Sequence, residues 1–175
     1  MFDVNELAVT VIGHDRPGII ADVGEVLAGL GMNLTDSTMT RLRGHFAMTL
    51  ICAGSLAAAE VEAALGVLTA DGALLATVRR VQHETEQYSG GGHHVLTLHG
   101  ADRLGIVAAV TRTVAEFGGN VTDLTTRLSG ALYVLIAEVD LPAGVDPDQL
   151  SRRLDAVGGA LGVEIGLDAA DVELL

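Results

Sequence analysis

The chain has 175 residues, 49% of them hydrophobic, with no Trp, two Tyr and three Phe. This composition excludes a disordered chain and predicts one domain or two small ones, with cores of aliphatic side chains. The formal net charge is -13, and every basic residue is an Arg. A surface this acidic repels phosphate backbones and anionic lipid, so we expect no direct nucleic-acid or membrane partner, although a basic protein could bind.

Cysteine content and the N-terminal segment bear on the compartment. Cys52 is the single cysteine, so no intrachain disulfide is expected. The start of the chain lacks the basic and apolar regions of a signal peptide, and no apolar run approaches the roughly 20 residues that cross a bilayer. We therefore expect a cytoplasmic protein.

The first half of the chain predicts six elements in the order βαββαβ. Alternating or apolar runs predict strands, and apolar residues at helical spacing predict amphipathic helices. Gly44, between two β-rich runs, predicts a hairpin. In chain order the elements are strand ELAVTVIG, a striped helix from Ile19 to Leu30 that stops at Gly31, strands 34–42 and 45–53, a helix at 56–70 and strand ALLATVRRVQ.

A polar and then glycine-rich segment, ETEQYSGGG, separates the two halves. Such composition is typical of a flexible, exposed linker. We place the linker at 85–92, between a first domain at 1–84 and a second at 93–175.

The second half predicts the same order of elements. Its hairpin glycine is Gly130, and Pro147 suits the first turn of its second helix. In chain order the elements are strand HVLTLHG, a striped helix from Ile106 to Phe117 that stops at Gly118, strands 121–128 and 131–139, a helix at 147–160 and strand GVEIGLDA.

The two halves are internal repeats that keep register over about thirty residues when residue 9 is laid over residue 96. With right-handed crossovers, βαββαβ gives a four-stranded antiparallel sheet with two helices on one face. The predicted fold is therefore α+β, with two ferredoxin-like domains. The aligned pairs are Asp15 and Asp102, Arg16 and Arg103, Gly18 and Gly105, Ile19 and Ile106, Gly31 and Gly118, Asn33 and Asn120, Thr35 and Thr122, and Asp36 and Asp123.

The turn between the first strand and the first helix, Asp15-Arg16-Pro17-Gly18, repeats faithfully. Asp is a helix-capping residue, and unpaired amides at a helix start attract a carboxylate. Asp15 or neighbouring carbonyls could meet an ammonium group. A cap followed by Pro-Gly also simply starts a helix, so a structural role stays open. Because packing does not require Arg at an exposed turn, its repetition favours binding of a zwitterion.

An asparagine follows the other end of this helix in both copies, as Asn33 and Asn120. Asn tolerates turn conformations and can bond its own backbone, which would be a structural role. Its amide both donates and accepts hydrogen bonds, which also suits the two charged ends of an amino acid. Both roles stay open.

Enzyme, metal and nucleotide sites find little support. Of the clustered histidines His93, His94 and His99, the first two would point to opposite faces of a strand, so no closed zinc site is expected. Cys52 and Ser89 lack a base and an orienting group. The turns lack the phosphate-loop Lys-Ser/Thr and the G-x-G-x-x-G pattern. We expect no catalytic residues, no metal and no cofactor.

The doubled pattern D-R-[PL]-G-I, striped helix, G-x-N-x-T-D and glycine hairpin resembles the ACT domain in tandem. The segments DRPGIIADV and GMNLTDSTMTRLRGHFAMTLICAG resemble the glycine cleavage system transcriptional repressor-like group. The resemblance implies a regulatory module, usually for amino acids, whose domains pair sheet to sheet. Ligand would lie where the turn before the first helix meets the Asn region of a neighbour. The residues implicated by position are Asp15, Arg16, Gly18, Ile19, Asn33, Asp102, Arg103, Gly105, Ile106 and Asn120.

The chain departs from the pattern at two places. Gly13 and Gly100 stand where some amino-acid-binding members carry His, and Leu104 replaces the Pro17 of the first copy. The identity of the amino acid and the occupancy of both turns therefore stay open. The expectation is a non-enzymatic amino-acid sensor, paired as a homodimer or within one chain, that regulates glycine cleavage or one-carbon metabolism through a protein partner. The alternative is an interaction module that has lost its ligand.

Overall fold

A computed structural model describes residues 5–81 and 90–170. The chain divides into two compact units, Met1–Thr85 and Glu86–Leu175. The elements of the first unit are β1 Asn5–His14, α1 Ile19–Gly29, β2 Asn33–Leu42, β3 His45–Gly54, α2 Ala58–Thr69 and β4 Leu74–Arg80. Those of the second are β5 Gly90–Ala101, α3 Ile106–Glu116, β6 Asn120–Ser129, β7 Leu132–Pro142, α4 Pro147–Leu161 and β8 Val163–Ala169.

Each unit contains one four-stranded antiparallel sheet. The strand orders are β2-β3-β1-β4 and β6-β7-β5-β8, so the first strand of each unit is central and the second lies at an edge. Both units have the order βαββαβ. The predicted α+β, ferredoxin-like fold is confirmed.

The core of the first unit lies between its sheet and its two helices. Alternation along β1 sends Leu7, Val9 and Val11 to the covered face, because successive side chains of a strand point to opposite faces. The same cluster includes Ile19, Val23 and Leu27 from α1 and Val61 and Leu65 from α2. Both helices therefore cover one face of the sheet, and the stripe on α1 is narrower than predicted, since Ile20 is 49% exposed.

The core of the second unit repeats this plan. Leu96 and Leu98 of β5 pack with one stripe from each helix. Helix α4 begins as predicted, with Pro147 in its first turn and the Asp146 carboxylate accepting a hydrogen bond from the Asp148 amide at 3.0 Å. The helical members of this cluster are Ile106, Val110, Val114, Leu150 and Leu154.

Part of the segment predicted as a flexible linker, 85–92, belongs to a strand. Gly90, Gly91 and Gly92 belong to β5, and Gly90 pairs with Pro142 of β7. A Cβ atom on Gly91 would collide with the carbonyl oxygens of β7, so glycine here permits close strand pairing. Residues 85–89 of the predicted linker, with Ser89, lie outside the described residues.

Within the parts of the chain that the structure describes, none of the helices is long and apolar enough to span a lipid bilayer.

We expect the thiol of Cys52 to be unreactive while the first unit is folded. The residue is fully buried on β3, and burial raises the pKa of its thiol. Because the thiolate is the nucleophile, both effects suppress alkylation or disulfide exchange. An aromatic disulfide reagent should label the native protein very slowly and the urea-unfolded protein at one thiol per chain. Equally fast labelling of the native protein would show that β3 opens readily.

Candidate functional site

The start of the first helix in each unit is set by a left-handed glycine. Gly18 has φ 87 and Gly105 has φ 86, and each occupies the N-cap position with no side-chain cap. Glycine adopts this conformation without the steric cost that a Cβ imposes. The expected capping role of Asp15 is therefore wrong, because the helix begins four residues further along the chain. Backbone geometry alone explains why both glycines repeat.

Ion pairs engage both charged side chains of the first turn, which joins β1 to α1. Arg16 Nη2 donates to Asp22 Oδ2 at 2.7 Å, and Arg16 Nη1 donates to the Pro17 carbonyl at 3.2 Å. Arg41 Nη1 donates to Asp15 Oδ2 at 3.2 Å. A zwitterionic ligand at this turn would have to compete with these internal partners.

The corresponding turn of the second unit, between β5 and α3, lacks both internal partners. Ala109 and Leu128 stand where the first unit has Asp22 and Arg41. Within the described residues, the side chains of Asp102 and Arg103 make no hydrogen bond or ion pair. The first turn of α3 also carries no acidic residue. The first turn of α3 therefore offers no carboxylate of its own to the positive end of the helix dipole, unlike the first turn of α1, which contains Asp22.

An open cleft of about 560 Å³ lies at this second turn. Its volume is within the range of small-molecule sites. The sequence-predicted residues Asp102, Arg103, Gly105 and Ile106 lie together along it, and Leu104 is fully exposed. The complete lining is Asp102, Arg103, Leu104, Gly105, Ile106, Val107, Ala108 and Tyr133.

Tyr133 is a lining residue that the sequence did not single out. It lies opposite Gly100 across β5 and β7, as Phe46 lies opposite Gly13 across β1 and β3. Phe46 is only 2% exposed, whereas Tyr133 is half-buried. The exchange of Phe for Tyr between aligned repeats was the available signal, since a half-buried phenol brings a hydrogen-bonding group to an apolar position.

Asn33 and Asn120, the asparagines repeated in both halves, each lie at the opposite end of the unit from its first turn. Asn33 starts β2 and pairs with Ala53, which in turn pairs with Glu6 near the start of β1. Helix α1, of 11 residues, separates Asn33 from Gly18 by about 16 Å. Asn120 holds the equivalent position at the start of β6. Within one unit, the asparagine and the turn do not meet.

A β-bulge explains another part of the repeated pattern. The register of β2 against β3 shifts between Leu34 and Asp36, and that of β6 against β7 shifts between Val121 and Asp123. The extra residue is a threonine in both copies, at positions 35 and 122. N-x-T-D therefore encodes the same strand start and bulge twice, which is a structural role independent of any ligand.

Close approach of the last strand explains the glycines found where some ACT members carry His. A Cβ on Gly13 would collide with the Ala73 carbonyl oxygen and lie 2.9 Å from the Leu74 Cα. A Cβ on Gly100 would lie 2.8 Å from Val163 Cγ1 and 3.0 Å from its Cα. These contacts are shorter than ordinary van der Waals separations, so a side chain does not fit at either position.

The fold and its repeated turns define a tandem α+β module with a solvent-open cleft beside the start of α3. The ACT domain model matches residues 5–84 and 93–168, and the chain belongs to the ACT domain family. Tandem ACT domains are typical of amino-acid-sensing regulation, and ACT domains generally bind amino-acid ligands and pair with one another.

Curated relatives match about half of the chain. A UPF0237 protein of Streptococcus mutans is 32% identical over 78 residues, which are 45% of this chain and 89% of that protein. A UPF0237 protein of Methanopyrus kandleri is 35% identical over 79 residues, 45% of this chain and 88% of that protein. Each relative thus matches a length close to one ACT repeat.

Two solved structures match nearly the whole chain. An unknown protein from Galdieria sulphuraria has a TM-score of 0.81 and 27% identity, with 97% of this chain and 100% of that chain covered. A protein described as a proposed glycine cleavage system transcriptional repressor has a TM-score of 0.75 and 23% identity, with 97% and 99% covered. The second likeness is one of fold.

Proposed function

We propose that this protein is a non-enzymatic sensor that binds a small amino acid and regulates a partner protein in the cytoplasm. The observation that carries the proposal is the cleft of the second unit, where Asp102 and Arg103 flank the start of α3 without partners among the described residues. A zwitterion presents the opposite charges that these groups would bind. The second turn is therefore the proposed principal site.

The cleft offers separate partners for the two charged ends of an amino acid. The guanidinium of Arg103 and the first amides of α3 would bind the carboxylate, since a helix start and an Arg fork both favour anions. The carboxylate of Asp102 would accept hydrogen bonds from the ammonium group. Val107 and Tyr133 would contact the side chain, and the moderate cleft volume favours a small one.

Pairing with another ACT unit is the second part of the proposal. An Asn33 or Asn120 could reach a ligand only from a neighbouring unit, because each lies about 16 Å from the turn of its own unit. All ten residues of edge strand β2 are exposed, so its outer backbone groups are available to another strand. We propose a homodimer or intrachain pair, and ligand binding would favour the paired state.

The proposed regulatory target is glycine cleavage or one-carbon metabolism. This part is supported by the resemblance of the repeated motifs and by the shared fold of the proposed glycine cleavage repressor. The net charge of -13 favours a basic protein partner over direct contact with DNA.

One observation favours the alternative of an interaction module without ligand. The charged groups of the first turn are already paired with Asp22 and Arg41, so that turn does not need a ligand to pair its charges. If the second turn were also empty in solution, the exposed edge strand β2 would be the remaining functional feature.

Calorimetric titration with a panel of amino acids tests the proposal. The protein should first be unfolded, dialysed and refolded, so that no copurified ligand occupies the cleft. We expect saturable binding of at least one small amino acid, with one site per chain. Absence of binding for the whole panel, with a native circular dichroism spectrum, would leave the interaction module.

A further inference from the structure

We propose that His14 and His45 form an open binding site for a late first-row divalent metal ion, with Cu²⁺ bound most tightly. The site lies at the ends of β1 and β3, directly before the first turn. It is separate from the amino-acid cleft of the second unit and does not depend on that cleft being occupied.

The strand register brings the two imidazole rings together. His14 pairs with His45, and the Asp15 amide donates to the Gly44 carbonyl at 3.0 Å. Because Asp15 and Gly44 make this bond, His14 and His45 do not bond to each other through their backbones. In antiparallel sheets such non-hydrogen-bonded pairs have Cα atoms only about 4.5 Å apart. The ring centroids are 5.2 Å apart with an interplanar angle of 33°. Small side-chain rotations would let one nitrogen from each ring share an ion.

Both rings have nitrogens available for a metal. Within the described residues, neither His14 nor His45 makes a side-chain hydrogen bond or ion pair, and both side chains are exposed. The other described histidines differ. His93 contacts Asp140, His94 Nδ1 lies 3.3 Å from the Gly92 carbonyl, and His99 Nε2 lies 3.0 Å from Glu164.

The donor set determines the class of metal. Neutral imidazole suits Cu²⁺, Ni²⁺ and Zn²⁺, and Cu²⁺ has the highest affinity in this series. Among the described residues, no group of three or more His, Cys, Asp or Glu could hold a metal ion. Two protein ligands would therefore hold the ion, and water would complete its coordination.

The second unit provides an internal comparison. Ala101 pairs with Leu132 at the position where His14 pairs with His45. Within the described residues, only the first unit therefore carries a pair of histidines at this position. Placing histidines at both positions of the second unit should create another.

Titration of the untagged protein with Cu²⁺ alone, followed by calorimetry and electron paramagnetic resonance, tests the site. We expect one ion per chain with two nitrogen ligands. His14→Ala and His45→Leu introduce the residues that the second unit has at the equivalent positions. Each should weaken Cu²⁺ binding by at least about a hundredfold, because loss of a group that merely supports a metal ligand already costs up to about that much. His99→Ala is the matched control and should keep the wild-type affinity.

The combined replacement Ala101→His and Leu132→His should raise the stoichiometry to two. Both His14→Ala and His45→Leu change exposed side chains, so circular dichroism should show an unchanged fold. Wild-type Cu²⁺ affinity and stoichiometry in these two variants would overturn the proposal, because the ion would then be held elsewhere, such as the histidines near the start of β5.

Discussion

Arg103→Ala is expected to weaken amino-acid binding by about thirtyfold, whereas Arg16→Ala should change it by no more than about twofold. A hydrogen bond to a charged group contributes about 2 kcal/mol, and each 1.36 kcal/mol is a factor of ten. Arg103 makes no ion pair among the described residues, while Arg16 is held by Asp22 at 2.7 Å. Calorimetric titration of both variants with the amino acid that binds the wild-type protein measures the difference.

Two further variants test whether the larger effect of Arg103→Ala comes from the second turn itself and not from the loss of a positive charge anywhere on the protein. Tyr133→Phe removes only a hydroxyl and should cause a smaller loss than Arg103→Ala. Asp22→Ala combined with Arg41→Leu gives the first turn the neutral residues of the second, and it should raise the stoichiometry toward two. Equal losses in Arg16→Ala and Arg103→Ala would contradict the assignment of the second turn as the principal site.

The order of elements was predictable because each one leaves a local pattern. The alternation of Leu7, Val9 and Val11 and the spacing of Ile19, Val23 and Leu27 match the observed burial. The stop of α1 was predictable for a similar reason, since Gly31 has φ 70. Such features depend on near neighbours in the chain.

The electrostatics of the candidate site depended on contacts that a local pattern does not encode. Arg41 of β2 donates a hydrogen bond to Asp15, which lies 26 residues away in the chain. The two residues come together because β2 pairs with β3 and β3 pairs with β1. The sequence analysis therefore treated the two turns alike, whereas in the structure only the first turn has its charged side chains paired among the described residues. Tyr133 joins the cleft through the pairing of β7 with β5, which also lies beyond any local window.

Part of the faithful repetition at the turns has a structural cause. Left-handed Gly18 and Gly105 start helices, and the bulges at Thr35 and Thr122 start strands. Backbone geometry therefore accounts for the repetition at these positions without a ligand. The discriminating positions are those where the copies differ, such as Asp22 against Ala109, because backbone geometry does not dictate them.

Gly13→Ala is expected to destabilise the first unit by about 3 kcal/mol, the upper part of the range for overpacking a well-packed core. The added Cβ would collide with the Ala73 carbonyl oxygen and lie 2.9 Å from the Leu74 Cα, so β4 would have to move away from β1. Backbone atoms in a hydrogen-bonded ladder cannot rotate aside as a side chain can. Urea unfolding, followed by circular dichroism and by exposure of the single thiol of Cys52, reports on this unit.

Gly24→Ala provides the matched control, because it adds the same methyl group within the same unit. Gly24 lies inside α1, and a Cβ there would meet nothing within 4 Å. This variant should be more stable than the wild-type protein by roughly 0.5–1 kcal/mol, since Ala is favoured over Gly in a helix interior. Similar unfolding midpoints for Gly13→Ala and the wild-type protein would show that β4 is free to shift. In that case the close approach of β4 would not explain why this position lacks a side chain.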